Sequence, residues 1–502
     1  IEGPAGYGKT LALAMKAMYL MKASQSGIAE NRTLFVTHSE ASRRAITSII
    51  QSMGGEEFLE SNQLQQLKIE TLQGLCTNIL RQDLSATELL DPDAYDAKQL
   101  QFLYVEQAFK SAMKEWGTYE RFASEAFKHL IQNDDQTHII SMLQHEIAVV
   151  IKGRAAEDFD AYKALPKMRY ALPTHNEGDR SFVWRVFILY RDELVSGGQF
   201  DTDDVMLSAI GQLATPIWRR RRAREGFDCV LIDETHLFNM NELSVFHHLT
   251  TREDVVSIAF AIDRSQSVGD RGWDAMTDME SLVPSQEQRF AAKKIKVRSV
   301  FRSSPEIVGL AFSVTSAGAS LFTNFEDPLA LANSSLSYDE ERMCASPIYR
   351  DYVNDDSMID AAFERANAMI SEMGSTRGNI AIVAFSDELF RRLIDKANKE
   401  NKPCEILKER GSIEVVRSAQ KSARYVLSMP DYVGGLEFDA VVLLGVDDGR
   451  VPPSDARLAQ TKAFLNYSAH NRLYVAINRA RYRVEILGVR DRGPSAILST
   501  AL

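Results

Sequence analysis

The stretch Ile1-Glu2-Gly3-Pro4-Ala5-Gly6-Tyr7-Gly8-Lys9-Thr10 decides the fold. It fits the pattern Gly, four residues, Gly-Lys and then Ser or Thr, which folds around phosphate. The glycines let the backbone turn tightly enough to aim successive N–H groups at phosphate oxygens, and a helix then begins with the positive end of its dipole at the same place. Gly6, Tyr7 and Gly8 supply that backbone, Lys9 reaches the β- and γ-phosphates, and Thr10 ligates Mg²⁺. The run from Thr10 to Ala23 is rich in Leu, Ala, Met and Lys and reads as a helix. The strand expected before the loop is reduced to a stub, so the rest of the chain must supply the support for a nucleotide.

Composition sets the outer bounds. With 502 residues and 45% hydrophobic content the chain can bury several cores, and its length suggests about three domains. No apolar run approaches the ~20 residues of a membrane span and no signal-peptide pattern opens the sequence, so a soluble protein without a membrane partner is expected. Cys76, Cys229, Cys344 and Cys404 are scattered without metal-ligand spacing, which points to a reducing, cytoplasmic compartment and neither zinc nor disulfides. A net charge of -11 speaks against a protein coated in nucleic acid, though a local basic groove is compatible with it. Beginning without Met and inside a strand, the chain reads as a fragment or trimmed core.

Outward from the loop, strand, loop and helix alternate, which indicates a parallel α/β sheet. Thr33-Leu34-Phe35-Val36-Thr37 is a buried strand followed by His38-Ser39-Glu40 and a helix to Ile50. Ile69-Glu70-Thr71-Leu72-Gln73-Gly74 repeats the pattern before a helical run to Arg81. Loops at the carboxyl ends of such strands are where ligands bind, although Thr37, His38, Thr71 and Gln73 taken singly read as loop and cap residues. From about 84 to 199 the strand signals vanish and helical spacing takes over, as in Phe102, Val105, Phe109, Ala112 and Trp116, whose aromatics read as core. Phe200-Asp201-Thr202-Asp203-Asp204 then opens a helix. Three carboxylates there suit either a metal or the helix dipole, and the dipole role is the one read here. The run from Arg219 to Arg224 reads as a solvated helix end, with nucleic-acid contact as the alternative.

Asp228-Cys229-Val230-Leu231-Ile232-Asp233-Glu234 is an apolar strand ending in two acids. Beside a phosphate loop, Asp233 holds the Mg²⁺ shell and Glu234 accepts a proton from the attacking water. A further strand, Val256 to Ile262, runs into Asp263-Arg264-Ser265-Gln266-Ser267, where Gln266 is placed to sense a γ-phosphate or orient water. Phe301-Arg302 sets an aromatic beside a cation, suited to a base and a phosphate. Ile380 to Ala384 and Ala440 to Leu444 read as strands of a second sheet, with a helix from Met358 to Met373 before them and a polar connection from about Lys402 to Lys421 between them. Asn471 to Arg481 reads as a helix carrying Arg472 and Arg479 on one face, followed by a strand from Arg483 to Leu487.

Taken together and in order, these segments resemble the UvrD/Rep-like superfamily 1 DNA helicases. The resemblance rests on the loop at 3–10, Phe35 to Ala41, Thr71 to Gly74, Phe200 to Asp204, Ile232 to His236, Asp263 to Ser267, Phe301-Arg302-Ser303, Gly435-Leu436-Glu437-Phe438 and Tyr474 to Ala480. It implies two RecA-like P-loop domains with ATP between them and single-stranded or partly duplex DNA across both. The implied division is 1–83 and 200–284 for the first RecA-like domain, 84–199 for a helical insertion within it (1B), and 285–502 for the second. By matching position, Phe301 stacks on adenine, Arg302 and Arg479 reach the γ-phosphate, Gln266 couples that phosphate to the DNA path, and Glu437 lies near the nucleotide sugar. Thr37, His38, Thr71, Gln73 and Trp273 fall on the DNA side.

The sequence also departs from the family. Its second insertion (2B) would fall between the strand near 380 and the Gly-Leu-Glu-Phe tract, where only a short connection remains. Gly434, Asp431 and Asn478 replace a usual Lys, His and Thr, Gly269 stands where a base-stacking Tyr is common, with Trp273 nearby but out of register, and His38 sits where a Phe stacks on DNA. Two functions therefore stand side by side: a DNA translocase and helicase moving 3′ to 5′, and a nucleic-acid-gated ATPase switch that regulates a partner, such as a nuclease in a repair or phage-defence complex, without unwinding.

Overall fold

The computed structural model describes residues 1, 8–27, 30–60, 64–80, 94–166, 172–238, 240–252, 257–262, 299–300, 303–317, 333–334, 336–408, 411–454 and 459–498. Helix α1 (Lys9–Ser26) starts from Gly8, whose φ of 71° is a left-handed conformation that glycine adopts without steric cost. Strand β1 (Asn31–Thr37), α2 (Glu40–Ser52), β2 (Gln65–Thr71) and α3 (Leu72–Ile79) follow. Ser39 and Thr71 cap α2 and α3 by accepting from the N–H groups of Ser42 and Gly74. The chain then enters a helical body: α4 (Ala94–Met113), α5 (Trp116–Tyr119), α6 (Glu125–Asn133), α7 (Gln136–His145), a π-helical segment (Glu146–Lys152), α8 (Phe159–Ala164) and α9 (Glu177–Ser196). It returns through α10 (Thr202–Leu213), α11 (Pro216–Glu225), β3 (Cys229–Ile232), α12 (Met240–Val245) and β4 (Ile258–Phe260).

These strands form a parallel sheet in the order β2-β1-β3-β4. Ile1 extends it, donating to Phe260 O and accepting from Ile262 N, so the residue before the phosphate loop lies beside β4. Side chains alternate across the sheet with period two. Phe35, Cys229 and Leu231 face α1 and α2, whereas Leu34, Val36, Val230 and Ile232 face α3, α10 and α12. A sheet buried on both faces has apolar strands throughout, which is why β1 and β3 read so plainly.

The helical body has its own core around Phe182, fully buried and edge-on to Trp116 (4.9 Å), Tyr119 (5.6 Å), Phe127 (6.0 Å) and Phe109 (6.4 Å). Where this body rejoins the sheet, Lys152 is completely buried and pairs with Asp201 (2.7 Å) and Asp204 (2.6 Å) at the start of α10. Asp201 and Asp204 also form the capping box of that helix. Burial works against ionising Asp201, but the Lys152 ammonium and the Tyr190 hydroxyl override it and hold the carboxyl below its ordinary value. Burial and the Asp201 charge push Asp204 up to about 7. Asp201 and Asp204 thus serve the fold. Lys152→Leu should destabilise the protein by about 3–5 kcal/mol, since it leaves carboxylates buried without their cation. Denaturant unfolding checks this, and adding Asp204→Asn should recover part of the loss.

Beyond β5 (Ser299–Val300), α13 (Pro305–Ala317), β6 (Asn333–Ser334) and α14 (Tyr338–Met343) lies a second parallel sheet. It comprises β7 (Ile348–Tyr352), α15 (Asp355–Met373), β8 (Ile380–Ala384), α16 (Asp387–Lys399), β9 (Cys404–Ile406), α17 (Ile413–Ser422), β10 (Tyr425–Ser428), β11 (Phe438–Leu444), α18 (Ala459–Ile477) and β12 (Ala480–Val489), in the strand order β7-β12-β11-β8-β10-β9. Ala381, Val383, Val441, Leu443 and Val484 face α13, α17 and α18, and Ile380, Ile382, Val442 and Leu444 face α15 and α16.

Four sequence expectations change here. The Lys402 to Lys421 connection holds strand β9 and helix α17, both half-buried at the sheet edge, and the fully buried β10 follows it. The expected Asn471 to Arg481 helix ends at Ile477, because Asn478 Nδ2 donates to Tyr474 O (2.8 Å) and Arg479 Nε to Val475 O (3.0 Å), capping the last carbonyls. Arg479 therefore does not share a helix face with Arg472. Arg222, in the basic run, is buried and donates to Thr250 and to the carbonyls of His247, Thr250 and Arg252, so it is not part of a solvated end. The strand expected over Val256 to Ile262 is confined among the described residues to Ile258–Phe260.

Candidate nucleotide site

The carboxyl ends of β1 and β3 lie side by side, with Val36 opposite Ile232 and Asp233 N donating to Val36 O at 3.1 Å. That register sets Asp233 against the first turn of α1, where Thr10 Oγ1 donates to Asp233 Oδ2 at 2.7 Å across 223 residues of sequence. Burial, then the charge of neighbouring Glu234, raise the Asp233 carboxyl to about 7 against the pull of the Thr10 hydroxyl and the Lys9 ammonium. Lys9, Thr10, Asp233 and Glu234 thus form one cluster. Its hydroxyl and carboxylate suit a hard divalent cation, which would displace the proton that burial favours.

Glu234 itself has φ 49° and ψ 39°, a left-handed conformation that costs a residue with a Cβ about 1–3 kcal/mol. It is held by the turn that follows: Thr235 N donates to Ala261 O at 3.0 Å and its hydroxyl to Ile232 O at 3.2 Å. The chain leaves β3 in one sharp turn, with Asp233 buried and Glu234 half-exposed above it.

The Asp233 shift has a measurable consequence. Its folded value lies above the ordinary aspartate value of 3.8, so the folded protein holds this proton to higher pH than the unfolded chain. The stabilisation is full below about pH 4 and is lost as pH rises through about 7. In metal-free buffer Asp233→Asn should therefore melt above the wild type at pH 8, and the gap should narrow by pH 5 and close near pH 4. A gap independent of pH would contradict the assignment.

At the same sheet edge Thr37 faces Thr71 across β1 and β2. Thr37, the buried last residue of β1, donates to Ser39 O and is neither loop nor cap, whereas Thr71 is the cap of α3 that its sequence reading expects. The His38 ring lies 5.6 Å from Phe238, and Gln73 is half-buried in the first turn of α3. In the second body, Glu437 is exposed just before β11. Arg479 is 4% exposed, its guanidinium on Val475 O and 3.5 Å from Leu436 O. The two sheet-bearing bodies touch where α2 begins: Arg44 pairs with Glu414, and Ala41 faces Gly411. Gly6, Tyr7, Gln266, Trp273, Phe301 and Arg302 lie outside the described residues. Sequence reading missed Lys152, whose one signal is a lysine closing the apolar run Ile147 to Ile151.

Parallel sheets, a helix springing from a glycine loop, and a Thr–Asp contact between that helix and the neighbouring strand define a P-loop α/β protein. The chain belongs to the UvrD/REP helicase family: the model of the UvrD/REP helicase N-terminal domain matches residues 1–268. ATP-dependent DNA helicase activity is the function of that family. Among solved structures, the C-terminal domain of a possible DNA helicase from Lactobacillus plantarum WCFS1 aligns with 40% of this chain and 94% of its own, at 13% identity and a TM-score of 0.26, too slight a likeness to bear on the argument. No curated protein matches. Among the described residues no helix is long and apolar enough to cross a membrane, and no cluster of His, Cys, Asp and Glu forms a separate metal site.

Proposed function

We propose that the chain hydrolyses ATP between its two sheet-bearing bodies and uses the resulting motion to travel 3′ to 5′ along single-stranded DNA and open duplex. The observation that carries this is the Thr10–Asp233 hydrogen bond, which joins the phosphate loop to the acidic end of β3 and leaves Glu234 turned above it. In this reading Lys9 binds the β- and γ-phosphates, and Thr10 and Asp233 hold Mg²⁺, whose role is to neutralise phosphate charge. Glu234 takes the proton of the attacking water as the new P–O bond forms and the bond to the ADP oxygen breaks. Arg479, with Arg302, stabilises the charge on the transferring phosphoryl when the bodies close.

We further read 1–83 with 200–284 and 285–502 as the two motor domains, and 84–199 as a helical insertion in the first. Among the described residues between β8 and β11 the chain holds α16, β9, α17, β10 and their loops. That economy favours a second reading, an ATP switch that signals to a partner such as a nuclease subunit without opening duplex. ATP turnover with and without oligonucleotide, beside translocation and strand-displacement assays, separates the two. DNA-stimulated turnover with movement supports the motor, and stimulated turnover with neither movement nor unwinding supports the switch.

A further inference from the structure

The proposed base is held by a turn that reaches across to another loop. Glu234 opens a single 3-10 turn, Thr235–Leu237, and Phe238 closes it: Leu237 N donates to Glu234 O at 2.8 Å and Phe238 N to Thr235 O at 3.2 Å. The Phe238 ring is buried, with Phe246 edge-on to it at 5.6 Å. On it also rests the His38 ring, at 5.6 Å and tilted by 57°. His38 comes from the loop after β1, and the backbone around it is fixed on both sides. Val36 O accepts from Asp233 N at 3.1 Å, the Thr37 hydroxyl donates to Ser39 O at 3.2 Å, and Ser39 caps α2. The two loops therefore meet twice, once beside Asp233 and once at Phe238, with the left-handed Glu234 between the two contacts.

We infer that His38 is a positioning residue for Glu234: its ring seats Phe238, and the turn that Phe238 closes holds the carboxylate in place for the attacking water. The catalytic part of this rests on the proposed ATPase. Resemblance places His38 on the DNA side, and the Phe238 contact adds this second task. The reason is strain. A residue with a Cβ keeps a left-handed backbone only where its surroundings over-determine it. Around Glu234 the restraints include the Thr235 bonds to Ala261 O and Ile232 O, the turn's own two bonds and the packing of the Phe238 ring. His38 is half-exposed, whereas Phe246, Ile232 and Ala261 are buried in the core. It is therefore a restraint that can be removed without opening the sheet. A contact between aromatic rings is worth roughly a two- to ten-fold change in an equilibrium. Its loss should loosen the turn by that factor, while the Thr10–Asp233 contact, made by the residue before Glu234, is untouched.

Hydrogen exchange and turnover on the full chain test it, with melting to establish that each variant is folded. In His38→Ala the amides of Thr235 to Phe238 should exchange roughly two- to ten-fold faster than in the wild type, and His38→Phe, which returns a ring, should restore them. At saturating oligonucleotide, His38→Ala should lower kcat for ATP by roughly the same two- to ten-fold with KM unchanged, and His38→Phe should recover it. A Phe238→Leu background lacks the ring to be seated, and a Glu234→Gln background lacks the base to be placed. In either, His38→Ala should lower kcat no further. Unchanged exchange, an undiminished loss in either background, or a raised KM with kcat kept would overturn the inference. If the wild type hydrolyses no ATP, the proposed function fails, and the exchange measurement still decides whether His38 holds the turn.

Discussion

Glu234→Gln should bind ATP normally and turn it over about 10²–10⁴-fold more slowly than the wild type. The substitution keeps the shape of the side chain and the hydrogen-bonded turn through Thr235, so the left-handed backbone at this position survives. What it removes is the carboxylate proposed to accept a proton from water, a contribution made in the transition state and not in nucleotide binding. Glutamine also relieves Asp233 of the neighbouring charge that helps raise its carboxyl, so the buried acid should titrate lower in the variant. Lys9→Ala provides the contrast: in the proposed reading its charge meets phosphate in ground and transition states alike, and both affinity and turnover should fall. Fluorescent nucleotide titration and a coupled ATPase assay distinguish the two. A Glu234→Gln rate near that of the wild type with DNA present would remove Glu234 from the role of base.

Arg479→Ala should remain folded and bind nucleotide but lose on the order of 10³-fold or more of its DNA-stimulated turnover, the loss typical of removing an arginine finger. The structure gives this residue a second duty, since its guanidinium caps α18. Losing a net hydrogen bond to a charged donor costs about 1.5–3 kcal/mol, which melting will register as a modest shift. A stability loss of that size cannot produce a thousand-fold loss of rate in protein that is still folded at the assay temperature. Arg302→Ala is expected to behave alike in turnover. A stimulated rate reduced only a few-fold would leave Arg479 as a helix cap.

Legibility in the sequence followed burial. Strand β8 was read to the residue, and β1, β3 and β11 nearly so, because strands covered on both faces are continuous apolar runs. Strand β9, three half-buried residues at an edge, carries no such run, and α17 buries only Val416 and Ala419 while its charged face conceals it. The Thr10–Asp233 contact was legible as two motifs, because the phosphate loop and the acidic strand end each have their own local pattern. Lys152 was not, since its partners lie 49 and 52 residues away and a lysine after an apolar run looks like a solvated helix end. The end of α18 was misplaced for a related reason: periodicity continues through Arg479 to Arg481, and it is side-chain capping by Asn478 and Arg479 that stops the helix.

Helix α18, which packs Leu473 and Ile477 into the core of the second sheet and Phe464 into that of the helical body, also orders events during synthesis. Phe464 fills the core of the helical body from roughly half a chain beyond Ser196, where the last helix of that body ends. At about 5–20 residues per second the ribosome takes on the order of tens of seconds to cover that interval. Until then the Phe182 cluster can assemble from its own helices, but the notch that receives Phe464 stays open beside His145. The nascent chain therefore carries an apolar opening that only its own late segment closes, and the helical body attains its final packing together with the second sheet.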